Sequence, residues 1–269
     1  MKKSVLMIVC NGEPFIEPQL NNLYNIVDEI IIVEGADNIF RQIIKSKTST
    51  DHTATIIKSF PDPDKKIQFY QGDFSDKLKM SSFGCDKITG DYIYQVDVDE
   101  FACAEVINKG FNLLDKYECV QMPQRWYYKW GNTYLAGNRR EESIEQPGRF
   151  FQNKKSDGLY ISHIPWLGYR KFIDNAYINA KTTVLDSHGH HFLSIFRWQL
   201  EQKMKYYALR GDCNNNDVNQ KLKEFDSITI NDIGAKKISS YYDKILKTST
   251  HLLFKFKGAK YISPEIEYS

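Results

Sequence analysis

The sequence predicts a three-layer α/β sandwich with a mixed, mostly parallel central sheet and C-terminal helices. Three observations carry this expectation. Short aliphatic runs alternate four times with segments of helical periodicity over the first hundred residues. Residues 5–10 and 29–35 are almost continuously apolar, as strands buried on both faces of a parallel sheet must be. Polar and acidic residues gather just past the ends of those runs, where open parallel sheets bind ligands.

Taken in order, residues 5–10 form a first strand ended by the turn residues Asn11-Gly12-Glu13-Pro14. Residues 15–26 place Phe15, Ile16, Leu20, Leu23 and Tyr24 at spacings of three and four, a helix that Pro18 joins in its first turn. A second strand, 29–35, ends at Glu34 and Gly35. Ser49 to Thr53 supply capping residues for a helix over 54–60, and 66–70 is a third strand. A helix over 76–89, interrupted by Gly84, leads into a fourth strand, 90–96. Further on, Phe192, Ile195, Phe196, Leu200, Met204 and Tyr207 keep helical spacing over 192–209 until Gly211, and two surface helices are expected over 218–225 and 238–246. The basic tail 244–260 mixes lysines with Leu252, Leu253, Phe254 and Phe256, a pattern for packing on the core or for peripheral contact with an anionic membrane.

At 269 residues the chain suits one large α/β domain over 1–210, with halves 1–102 and 103–210, and a helical extension over 211–269 packed on it. Charged residues are 26% of the chain and the formal net charge is +2, so nothing calls for a nucleic-acid partner. Five cysteines, odd in number and without a Cys-x-x-Cys pair, point away from a disulfide framework and toward a reducing, cytoplasmic compartment. The first apolar run is too short for a signal peptide, and no stretch approaches the roughly 20 apolar residues that span a bilayer.

The chemistry concentrates at Asp97-Val98-Asp99-Glu100, just past the fourth strand. Continued strand geometry would aim Asp97 and Asp99 to one face and Val98 back into the core. Two carboxylates so close call for a neutralising partner, and a hard divalent ion such as Mg²⁺, completed by phosphate oxygens, is the usual one. Lys77, Lys79 and Lys87 on the preceding helix are candidates to meet that diphosphate. Neither Gly-x-Gly-x-x-Gly nor a Walker A sequence is present, so a nucleotide would be held by strand-end acids, loop backbone and metal.

Here the chain resembles family 2 glycosyltransferases of the GT-A fold. Residues 5–13 resemble that family's first strand and Asn-Glu loop, and 27–34 its second strand ending in an acid. Ser49-Thr50-Asp51-His52-Thr53 matches its Ser-x-Asp-x-Thr. Asp73-Phe74-Ser75, Gly90-Asp91-Tyr92 and Asp97-Val98-Asp99-Glu100 match the approach to its Asp-x-Asp-Glu signature. Gly148-Arg149-Phe150-Phe151, Tyr160-Ile161-Ser162-His163 and Val184-Leu185-Asp186-Ser187-His188 resemble strands of the acceptor half. Two departures stand out: the segment 36–47 is longer than the usual link, and Ile164 occupies the place where relatives often carry an acid.

The resemblance implies a UDP- or GDP-sugar donor and a glycan, glycolipid or protein acceptor. It implies Asn11, Glu13, Glu34 and Asp51 around the nucleoside, and Mn²⁺ or Mg²⁺ on Asp97 and Asp99. His188 is the favoured late metal ligand, with His190 behind it. Inversion, also implied, needs a general base on the acceptor hydroxyl, for which His163, Glu142, Asp157 and Asp186 are the candidates. Two other readings share these residues: a nucleotidyltransferase, and a noncatalytic nucleotide- or sugar-binding module. Glycoside hydrolysis fits less well, because it places its carboxylates at least ~5 Å apart across a sugar bond.

Overall fold

A computed structural model describes residues 1–136, 147–161, 169–171, 177–234, 244–247 and 254–260. The chain runs β1 (Lys3–Val9), α1 (Ile16–Leu23), β2 (Glu29–Glu34), α2 (Phe40–Ile44), α3 (Thr53–Ser59), β3 (Ile67–Gln71), α4 (Lys77–Lys87) and β4 (Tyr92–Gln95). It continues through β5 (Glu100–Phe101), α5 (Ala104–Leu113), β6 (Cys119–Gln121), β7 (Gln124–Tyr128), β8 (Thr133–Ala136), β9 (Gly148–Gln152) and β10 (Leu159–Ile161). Then follow β11 (Tyr169–Lys171), β12 (Tyr177–Ile178), β13 (Thr182–Val184), β14 (Gly189–Ser194), α6 (Arg197–Arg210), α7 (Asn215–Ser227) and β15 (Lys244–Lys247). The four β-α alternations expected from the sequence are present, with ends shifted by one to a few residues.

Two compact units result: Met1–Pro123 with Glu145–Gly189, and Gln124–Ile144 with His190–Ser269. The first is built on a seven-stranded sheet in the order β13-β6-β9-β4-β1-β2-β3. Strands β4, β1, β2 and β3 are mutually parallel, β6 and β13 are parallel to each other, and β9 runs antiparallel between β4 and β6. Strand alternation divides the core. Val5, Met7, Val9, Ile30 and Ile32 pack on one face with α1 and with Ile57, Ile107 and Phe111, while Leu6, Ile31 and Val33 pack on the other with Met80 and Cys85 of α4. Helices on both faces make the three layers that the sequence predicts.

In the second unit the strands β15, β8, β7 and β14 neighbour one another in that order. Helices α6 and α7 meet through Leu200, Val218, Leu222 and Phe225. The described residues from 211 onward, expected as a helical extension packed on the main domain, group in this unit with β7 and β8.

Two helix boundaries need correction. Phe192 lies in the strand β14 and is fully buried, stacked at 4.5 Å on Tyr127, and the helix begins only at Arg197 after the extended Phe196. Phe192 and Ile195 mimic a 3.6 period by chance, and burial in the sheet overrides it. Residues 244–246, expected to end a surface helix, lie in the strand Lys244–Lys247 antiparallel to β8, because pairing with that ladder outweighs local propensity. The remainder of that expected helix, 238–243, lies outside the described residues. Gly211 caps α6 as expected, at φ 88°. Of the basic tail, Phe256 is buried and packs edge-on against Phe192 at 4.6 Å.

Candidate active site

Because β1, β2, β3 and β4 are parallel, their carboxyl ends lie on one edge of the sheet, and the loops leaving that edge carry the predicted residues. The loop after β1 is laced to the segment before α3. Asn11 stands at φ 54°, a left-handed conformation that Asn tolerates, and its Oδ1 accepts from the Thr50 N–H at 2.8 Å. The Gly12 N–H donates to Thr53 Oγ1 at 2.6 Å, and the Glu13 N–H donates to Asp51 Oδ2 at 3.0 Å. Glu13 answers through its own carboxylate, 2.8 Å from the His52 N–H and 2.9 Å from His52 Nδ1. Asp51 also accepts from the Thr53 N–H at 3.0 Å, an Asx turn one residue ahead of the N-cap His52, so it steadies the helix entry and the β1 loop at once. Asn11, Glu13 and Asp51 are therefore one network.

Glu34 ends β2 and is fully buried. It accepts from the Ser49 N–H and from Gln71 Nε2 at 2.8 Å, joining the ends of β2 and β3 to the same segment. Nearby Cys10 has its thiol pushed up to about 12, chiefly by burial, which makes it inert as a nucleophile. In the long segment 36–47, Arg41 and Lys47 both clasp Asp73, Lys47 at 2.6 Å.

The acidic signature takes a different form from the one strand geometry suggests. Strand β4 stops at Gln95, and Asp97 to Glu100 make a turn closed by the Glu100 N–H on the Asp97 carbonyl at 3.0 Å. Alternation across a pleat therefore does not set the directions of Asp97 and Asp99. Val98 still packs partly against the core, as expected. Gln19 of α1 steadies the turn, its Nε2 donating to the Glu100 carbonyl at 2.5 Å. Glu100 is buried and paired with Arg149 of β9, whose guanidinium also lies 3.6 Å from the Asp97 carboxylate. Asp97 is 47% exposed and Asp99 half-buried, so both can meet a ligand.

The remaining predicted residues scatter. Lys79 is exposed in the first turn of α4, its N–H bound by Asp76 at 2.9 Å, whereas Lys87 lies over the rings of Phe83 and Tyr70 at 5.0 and 5.5 Å. Asp186, just past β13, is held by Lys109 and Ser187, which lower its pKa. Asp157 is exposed near the start of β10. His188 is half-buried, and His190 pairs its Nδ1 with the Tyr127 hydroxyl at 2.9 Å. Glu142 and His163 lie outside the described residues.

Among the described residues no three His, Cys, Asp or Glu side chains group closely enough to enclose an ion. The donors on the turn are nevertheless hard carboxylate oxygens on an accessible surface. They fit an ion that takes the rest of its shell from phosphate and water. Sequence reasoning singled out Ser49 within its Ser-x-Asp-x-Thr match but missed Gln71, Gln19 and the pairing of Arg149 with the acidic turn. Of these, Arg149 carries a signal, a lone charge beside the apolar pair Phe150-Phe151.

Solved structures resemble the chain distantly. Residues 1–349 of S. aureus TarS are 17% identical over 84% of this chain and 70% of that one, with a TM-score of 0.48. The longer TarS structure is also 17% identical, at a TM-score of 0.48, and the match covers 89% of this chain but 46% of TarS. Glucosyl-3-phosphoglycerate synthase from Mycobacterium tuberculosis, crystallised with Mn²⁺, UDP and glucosyl-3-phosphoglycerate, is 15% identical over 47% of this chain and 44% of its own, at 0.36. No functionally curated protein matches the chain. The model of glycosyl transferase family 2 matches residues 4–178, more than half of the sequence. The chain thus belongs to glycosyl transferase family 2, and is a glycosyltransferase of the GT-A fold.

Proposed function

We propose that the chain transfers a sugar from a UDP- or GDP-sugar to an acceptor hydroxyl on a glycan, glycolipid or protein, with Mn²⁺ or Mg²⁺ and with inversion at the anomeric carbon. The observation that supports this most is the gathering of two structures on one sheet edge. One is the hydrogen-bonded network of Asn11, Glu13 and Asp51, and the other is the partly exposed acidic turn of Asp97 and Asp99. A nucleoside fits the first, and a diphosphate the second.

In this reading Asn11, Glu13 and Asp51 frame the base. Glu34 acts from beneath, through Ser49 and Gln71, because its own carboxylate is buried. Lys79, at the N-terminal turn of α4, faces the phosphates. Asp99 and Asp97 would hold the ion, with His188 the proposed further ligand although it does not group with them among the described residues. The bound ion would supply the positive charge that offsets the diphosphate as the glycosidic bond breaks. A base then takes the proton of the attacking hydroxyl. The hold of Lys109 on Asp186 lowers that carboxylate's proton affinity and so weakens it as a base; His163, Glu142 and Asp157 are the other candidates. The base is the one whose substitution lowers kcat by about 10²–10⁴ while donor binding persists. Five cysteines that form no disulfide fit a cytoplasmic setting.

The test is release of nucleoside diphosphate from a panel of UDP- and GDP-sugars in Mn²⁺, Mg²⁺ and EDTA. Asp99→Asn is expected to abolish turnover with the melting temperature nearly unchanged, since it removes a charge from an open turn. Full activity in EDTA would sink the metal reading. Pyrophosphate release from a nucleoside triphosphate would favour nucleotidyl transfer, and binding without turnover a noncatalytic module.

A further inference from the structure

Arg149 is a buried cation in an apolar strand, and what it faces is the acidic turn. It sits on β9, which runs antiparallel to β4 with Phe150 opposite Tyr94, so its side chain reaches the turn that leaves β4. There its guanidinium pairs with buried Glu100 and stands 3.6 Å from the Asp97 carboxylate. The Asp97 N–H also points to Glu100 Oε2 at 3.4 Å, so Glu100 is held from two sides inside the turn. Three acids occupy the four positions 97–100. Arg149 offsets one of them, so the formal charges of Asp97, Asp99, Glu100 and Arg149 sum to two negatives.

We propose that Arg149 is a positioning residue of the transfer reaction. It withdraws Glu100 from the open side of the turn and sets the charge that Asp97 and Asp99 present to a divalent ion. This rests on the metal reading above and adds a protein counter-charge to it. Glu100 is then an internal partner of Arg149 and no ligand, although it belongs to the same acidic signature. The buried fork of the guanidinium suits this task, because its geometry is planar and its charge is permanent.

The consequence is a charge rule for cation affinity that a merely structural ion pair would not obey. Mn²⁺ alone, titrated against the full chain and followed by loss of the free-ion electron paramagnetic resonance signal, reads it directly. Glu100→Gln leaves one negative charge fewer and is expected to weaken Mn²⁺ binding about tenfold, while Arg149→Gln leaves one more and strengthens it about tenfold. The double variant Glu100→Gln/Arg149→Gln restores the parent charge and is expected within about threefold of the parent. Where Arg149→Gln does not fold, because Glu100 is left buried and alone, the parent, Glu100→Gln and the double variant decide by themselves. A double variant that binds no better than Glu100→Gln overturns the proposal, as do equal affinities in every folded form. A parent chain that binds no Mn²⁺ overturns the metal reading itself.

Discussion

Asp51 shows how one carboxylate serves two structures, since it accepts one N–H from the helix it precedes and one from the loop after β1. An acid ahead of a helical apolar run is legible in sequence, and so are acids that follow a strand. What sequence does not show is that Glu34 is spent inside, on Ser49 and Gln71, partners 15 and 37 positions away. Such pairings are fixed by strand register, which composition and spacing do not encode. His188 tests the metal reading at this scale. The segment around it is pinned by the Leu185 N–H on the Gln121 carbonyl at 2.9 Å and the Gly189 N–H on the Pro123 carbonyl at 2.8 Å, so the imidazole sits on fixed backbone. His188→Ala is expected to raise the Mn²⁺ concentration for half-maximal activity about tenfold and to weaken diphosphate binding with it, as loss of one ligand does. Activity equal to the parent at limiting Mn²⁺ would return the ion to Asp99, Asp97, phosphate and water.

Among the elements, α4 repays a closer look because Gly84 counts against it in sequence. The helix nevertheless runs unbroken from Lys77 to Lys87, capped by Asp76 on the Lys79 N–H. A Cβ at position 84 would collide with Leu6 Cδ1 and come within 3.0 Å of Val33 Cγ2, so the glycine is what lets α4 lie close on β1 and β2. Gly84→Ala gains helix propensity, about 1 kcal/mol, but forces an overpacked contact that costs about 1–3 kcal/mol. A net loss in the urea midpoint is expected, and an increase would show that the sheet yields. Elements with strong local patterning, from β1 to β4, were readable for this reason: local propensity and burial agree there. Strands β14 and β15 were not, because their state is decided by neighbouring strands, and a short apolar run supports either period.

For the molecule as a whole, stability in acid follows from how the first unit spends its carboxylates. Glu29 opens β2 beside Ser4 of β1 and accepts from Ser4 Oγ and Thr89 Oγ1, each at 2.6 Å, from the Thr89 N–H at 2.9 Å and from Lys2 Nζ at 3.1 Å. Burial by itself would raise its pKa. The hydrogen bonds from Ser4, Thr89 and Lys2 more than offset that and hold it at about 2, against an ordinary 4.5. Asp62 and Asp76 are likewise lowered, where hydrogen bonds from Ile67 and Tyr24, and from Ser75 and Lys79, outweigh burial. A depressed folded pKa means that the stabilisation is complete above the unfolded value, near 4.5, and is lost as pH falls toward 2, because the unfolded chain takes up its proton first. For Glu29 the difference amounts to about 3 kcal/mol at neutral pH. Glu29→Gln is therefore expected to lower unfolding free energy at pH 7 by up to about 3 kcal/mol, with more than half of the gap to the parent gone by roughly pH 3. Urea unfolding of both proteins at the two pH values measures this. A gap that stays constant between them would mean that the variant acts through packing, and that the ionised carboxylate of Glu29 does not hold the start of β1 and β2 together.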